Sequence, residues 1–171
     1  MKFLASIFFL LLLQSAAAQD VKYSIHFPSG SRQGIGSKSL PNPIDNSIYY
    51  SYREIRDLAK PANGWTDFYA GVDKLVYPKT AKIKKLQTSL IIEYRIDANG
   101  FVDSVFIRHR EVGGRWANCV DCEKLILDYF RNTKWIPGKI EEVPVKTTDD
   151  SHVEFTIYDP NSKKAQSPFG Y

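Results

Sequence analysis

Sulfur and imidazole are scarce in this chain of 171 residues: 2 cysteines, 3 histidines and a single methionine, Met1. A structural zinc site needs four ligands, and only His109 lies near the cysteine pair. His26, His109 and His152 are scattered, with no triad spacing and no paired carboxylate beside them. The HExxH motif, the phosphate-cradling glycine loop and the nucleophile motifs are all missing. No catalytic residue, metal or cofactor is therefore expected. An excess of one charge is also lacking: 23 Lys and Arg against 19 Asp and Glu leave +4, too mild a balance to argue for nucleic acid. Beyond Ala18 no apolar stretch approaches the about 20 residues that a membrane helix needs.

What is present begins with a leader. Met1 and Lys2 give a positive start, Phe3 to Leu13 is almost wholly apolar, and Ala16, Ala17 and Ala18 precede Gln19. That layout reads as a secretory signal, residues 1–18, cut after Ala18. An uncleaved anchor from Phe3 to Ala18 is the competing reading. No cysteine follows the cut, which argues against a lipoprotein. Export to the periplasm follows, with secretion or an inner-membrane anchor as alternatives. Once the signal is cut, no stable membrane span is expected.

Residues 19–46 read as a flexible linker, rich in turn formers at Pro28, Ser29, Gly30, Gly34, Gly36, Pro41 and Pro43. Ser47 to Arg56 favours a strand, with a short helix as the alternative because Ile48, Tyr52 and Ile55 also fall at helical spacing. Trp65, Phe68, Tyr69, Val72, Leu75 and Val76 form one stripe, predicting a helix over 65–76 with Asn63 as its cap. Tyr77-Pro78 ends it. Leu90, Ile92, Tyr94 and Ile96 alternate with Ile91, Glu93 and Arg95, and Asp97 to Gly100 is a turn. On the return strand Val102, Val105 and Ile107 share a face only if a bulge lies near Asp103-Ser104. Cys122, Leu125, Ile126, Tyr129 and Phe130 predict a second helix. Val153, Phe155 and Ile157 predict a last strand, and residues 161–171 a disordered tail. The fold class is thus α+β: a small antiparallel sheet with two helices packed on one face.

The Cys119-x-x-Cys122 pair is the sharpest chemical feature. A local disulfide is favoured in an exported chain. Thiol–disulfide exchange is the alternative, although the βαβ context that it wants is missing, and metal binding is a further one. Lys79, Lys82, Lys84 and Lys85 form a basic cluster, read as a solvated surface rather than a polymer site. Trp65 and Trp135 read as core anchors, leaving Trp116 as the tryptophan to test as a partner contact.

From Gly64 to Phe155 the ordered motifs resemble the C-terminal domain of TonB-type energy transducers, in the form common in Bacteroidetes. The matching pieces are Gly64-Trp65-x-x-Phe68-Tyr69, Leu75-Val76-Tyr77-Pro78 with Ala81 behind it, Ile91 through Ile96-Asp97-x-x-Gly100-x-Val102-x-x-Val105, and Trp135-x-Pro137-Gly138. The resemblance covers roughly 110 residues, so residues 47–160 are taken as the domain. It implies a periplasmic module that binds a protein or peptide partner, such as an outer-membrane receptor, by β-strand addition. It also suggests the closing strand as the receiving edge: Ser151, His152, Val153, Glu154, Phe155, Thr156, Ile157 and Tyr158. Pairing of two copies through swapped or added strands stays open. The chain departs from the energy-transducer plan in lacking a proline-rich arm, and the glycine usual before the first hairpin strand is replaced around Leu86-Gln87-Thr88. A stand-alone, non-enzymatic binding module is the economical expectation. The alternatives are a thiol–disulfide exchange protein, or an anchored transducer if the leader is retained.

Overall fold

Leu90, Ile92, Tyr94 and Ile96 fall on one side of a single strand and are almost fully shielded from solvent. Side chains alternate across a strand, so this set defines the face on which the helices must pack. The computed structural model describes residues 22–27, 44–45 and 47–158. The expected leader, most of the expected linker and the expected tail lie outside the described residues.

The elements are β1 (Lys22–His26), β2 (Lys60–Pro61), α1 (Gly64–Asp73), α2 (Lys79–Ile83), β3 (Thr88–Ile96), β4 (Val102–Arg110), α3 (Val120–Asn132), β5 (Trp135–Ile136), β6 (Gly138–Ile140), β7 (Val143–Val145) and β8 (Thr147–Tyr158). Four of these strands form a sheet in the order β1-β8-β3-β4. β3 is antiparallel to both of its neighbours. β2 pairs with β5, and β6 with β7, as two small ribbons. The architecture is α+β, with an antiparallel four-stranded sheet.

The α1 stripe buries Phe68 and Val72, but the helix stops at Asp73, short of the expected Val76. The N–H groups of Lys74 and Leu75 turn back to the carbonyls of Gly71 and Val72, a tightened last turn. Val76 then swings outward and is 76% exposed. The buried Tyr77 and the following Pro78 force this exit, because a residue before proline leaves helical angles. Asn63 holds the cap position, but its side chain makes no capping hydrogen bond. The short α2 was not foreseen. It buries only Ala81, which leaves almost no periodic signal.

The segment Ser47–Arg56 is not a strand. Tyr50 makes one parallel bridge to Thr147, and then Ser51 and Glu54 curl the chain. Glu54 Oε2 accepts from both the N–H and the hydroxyl of Ser51, at 2.8 and 2.9 Å, a capping-box arrangement. Tyr50 and Ile55 thereby reach a second, smaller core with Ile140 and Val145.

The β4 bulge falls where the spacing demanded it. Arg95 pairs with Ser104 and Ile96 with Val102, so Asp103 is the extra residue. A second extra residue, Arg108, lies between the pairs Ile91–His109 and Ile92–Ile107. The Asp103 bulge brings Val102, Val105 and Ile107 opposite the buried Ile96, Tyr94 and Ile92 of β3.

The hairpin tip is held by Asp97, whose Oδ1 accepts from the N–H groups of Asn99 and Phe101, each at 2.8 Å. Gly100 completes it at φ +85°, and a Cβ there would lie 2.3 Å from the Trp135 carbonyl oxygen. Gly114 is also left-handed, at φ +58°, but faces open space. Gly114→Ala should therefore cost only the backbone strain, about 1 kcal/mol. Gly100→Ala adds a backbone collision and should cost roughly 3 kcal/mol or more. Urea unfolding of the two variants measures the difference, and equal losses would refute the packing account.

Candidate partner-binding site

β8 was expected to be the open edge, and the sheet order corrects this. β3 pairs with one side of β8 from Thr88–Phe155 to Ile96–Thr147. The other side carries β1, from a stretch read as linker. The sequence did hold the signal: Tyr23, Ile25 and Phe27 alternate with Lys22, Ser24 and His26. It was masked by the glycines and prolines that follow it.

Side-chain pairs fix the direction of β1. The Ser24 and Thr156 hydroxyls are 2.8 Å apart, and His26 Nε2 lies 3.4 Å from Glu154 Oε2. Numbers rise along one strand as they fall along the other, so the pairing is antiparallel. On the inner face Ile25 is 5% exposed. The Tyr23 ring lies 5.1 Å from the Tyr77 ring and under the Lys82 ammonium. Phe27 packs against Phe68, Tyr69 and Phe130, with centroids 5.7, 5.1 and 6.3 Å away. Lys82, from the basic cluster, thus caps an aromatic seat.

The outer face of the same strands is polar. Glu154 is shielded to 9% exposure by His26, by His152 at 3.6 Å and by Arg115 at 4.0 Å. His152 Nε2 also bonds the Ser89 hydroxyl at 2.8 Å. Serine, histidine and glutamate meet here without the geometry of a proton relay. A relay sets the hydroxyl and the carboxylate on opposite ring nitrogens. Here both address Nε2, and Ser89 is only 1% exposed. The cluster forms a polar seam across β1, β8 and β3. Among the described residues no group of three or more His, Cys, Asp or Glu is placed to hold a metal ion.

Of the remaining candidate residues, Val153 and Phe155 are fully buried on the core side, Ser151, Thr156 and Ile157 are half-buried, and Tyr158 is exposed. Trp116 is half-buried, with the Arg115 guanidinium 4.3 Å above its ring and its backbone bridged to Gln87. Cys119 and Cys122 are disulfide-bonded at the start of α3, where Cys119 Sγ accepts from the Cys122 N–H. They are 3% and 0% exposed. A cleft of about 250 Å³ between the start of α1 and the end of α3 holds neither histidine nor cysteine.

The opposite rim, β4, is blunted. Its two bulges interrupt the ladder, and bulges on a rim discourage foreign strands. Arg131 reaches the Val105 carbonyl, and Arg110 is clamped to Glu123 of α3 at 2.7 Å.

Fold and site together define an α+β domain whose sheet ends in a seated peripheral strand. No family model matches the chain, and no curated protein matches it. No helix among the described residues is long and apolar enough to cross a membrane.

Tyr77, beneath Tyr23, gives the site a pH signature. Its hydroxyl donates to the Leu86 carbonyl at 2.6 Å. Burial, with a smaller contribution from Tyr23, pushes its pKa from 10.0 up to about 12. The folded state thus holds this proton more tightly than the unfolded chain does. Its contribution is complete below pH 10 and is lost as pH rises toward 12. Stability should fall across that window, and less steeply in Tyr77→Phe. Denaturant melts at pH 9, 10.5 and 12 test this, and identical pH profiles for the two proteins would refute it.

Proposed function

We propose that the chain is a non-enzymatic protein-binding module of the bacterial periplasm, TonB-like in its motifs, that takes an extended partner segment as an added strand on β8. One observation carries the reading: the β8 rim already holds an extended segment, β1 with the adjoining Phe27, seated by three inward side chains and a polar outer seam. A surface that accepts one extended segment has the ladder groups and side-chain seats to accept another. The leader supports an envelope location, and the ordered motifs from Gly64 to Phe155 support the kind of partner, an N-terminal segment of an outer-membrane receptor. Thiol–disulfide exchange fits less well, since both sulfurs are buried and exchange needs an accessible one.

Titration of the full chain with synthetic peptides copied from receptor N-termini should give saturable binding, with NMR shift changes concentrated on β8. Absence of binding across a panel of such peptides would overturn the receptor reading. Wild type and Cys122→Ser should both be inert in an insulin-reduction assay. Cysteine-dependent turnover would overturn the non-enzymatic one.

A further inference from the structure

We infer that β1 is a built-in occupant of the partner's place, and that the partner segment which displaces it is an antiparallel strand of the pattern aromatic, small hydroxyl, branched aliphatic, basic, aromatic. The inference rests on the strand-addition reading and specifies its site and partner chemistry.

The pattern is read from the seats. Tyr77 and Lys82 form a box that receives a ring, with the ammonium over its face. The seat of Ile25 lies inside the main core and admits only a compact apolar group. Phe68, Tyr69 and Phe130 form a second aromatic box around Phe27. On the outer side Thr156 offers a hydroxyl where Ser24 sits. Glu154 offers a shielded carboxylate where His26 sits, which suits an imidazole, ammonium or guanidinium. β1 and the Phe27 that follows it satisfy all five positions.

β1 is also placed to be exchanged. It is the outermost strand in the order β1-β8-β3-β4, so its removal breaks one ladder and leaves β8 paired with β3. If the leader is cut after Ala18, β1 starts at the fourth residue from the free chain end, and no threading is needed for it to leave. The blunted β4 rim leaves β8 as the better acceptor.

Three forms of the full chain test this. Ile25→Asp ejects β1 by placing a carboxylate in a core seat. The double variant Ser24→Cys with Thr156→Cys locks β1 down where two side chains already touch. Wild type lies between. The probe is a labelled peptide of residues 21–28, with the same peptide carrying Ile25→Asp as the control. The probe should bind Ile25→Asp at least about tenfold more tightly than wild type, because apparent affinity scales with the fraction of vacant seats. The oxidised double variant should not bind it. A folded Ile25→Asp chain that ignores the probe overturns the inference.

Should Ile25→Asp fail to fold, amide exchange on wild type decides. β1 amides should exchange at least about a hundredfold faster than those of Leu90 to Tyr94. Equal protection makes β1 a permanent strand and overturns the inference. Receptor peptides that bind the locked chain as well as wild type have their site elsewhere, and overturn both the tenancy and strand addition on β8. A probe that fills the ejected chain while receptor peptides bind no form supports the tenancy and overturns the receptor reading. A wild-type dimer that becomes monomeric in Ile25→Asp overturns displacement in favour of exchange between copies.

Discussion

Phe130 is the contact on which the other packing depends. It is fully buried, and its ring meets Phe68 of α1 at 5.3 Å, Tyr94 of β3 at 5.2 Å, Trp135 of β5 at 6.1 Å and Phe27 beside β1 at 6.3 Å. Helix, sheet, ribbon and peripheral strand converge on one side chain. Its place is set by the α3 face of Cys122, Ile126 and Phe130, one turn apart each time. The disulfide at the helix start fixes where that face begins. Trp135 follows five residues on, its indole N–H donating to the Phe130 carbonyl at 3.4 Å. Truncating such a ring typically costs about 3–5 kcal/mol, a large share of the 5–15 kcal/mol that a domain has.

β1 is held on closer terms than the rest of the sheet. Burying Ile25, and much of Tyr23 and Phe27, contributes about 1.5–3 kcal/mol each. Fixing the backbone of these few residues costs roughly 1–2 kcal/mol apiece. The two sums nearly cancel, and ladder hydrogen bonds add only about 0.5–1.5 kcal/mol each. β3 and β4 are in a different position, since a tight turn joins them and they close the core together. A strand bound by a small margin is ordered in the resting molecule yet open to competition.

The central elements were legible because they repeat a period. The β3 alternation, the α1 and α3 stripes and the odd step from Val102 to Val105 each imply a geometry with one solution. The bulge at Asp103 follows from that step alone. The illegible parts are those set by contacts distant in sequence. Ser47–Arg56 has strand-like residues, but Glu54 bonding back to Ser51 overrides propensity. α2 has one buried residue and no pattern. The candidate site was half legible: β8 and its two-sided residue pattern could be read, whereas its outer neighbour could not. Six residues of good alternation lay ahead of a run of glycine and proline, and local composition outweighed so short a period.

The two rims of the sheet are protected by different means, and the difference bears on function. An unprotected rim is a standing invitation to aggregate, so both must be managed. β4 is managed locally and permanently, by two extra residues and by arginines tied to backbone and helix. Nothing there can be removed without changing covalent sequence. β8 keeps regular pairing along its whole register with β3, and it is protected by a separate segment that satisfies the ladder. That protection is reversible by its nature, because what shields the rim is a strand that could occupy any equivalent seat. A protein needing only a stable sheet could bulge both rims. Keeping one regular, lining it with two aromatic boxes and a shielded carboxylate, and covering it with a peripheral strand of small net binding energy makes sense where that rim must at times be available to something else.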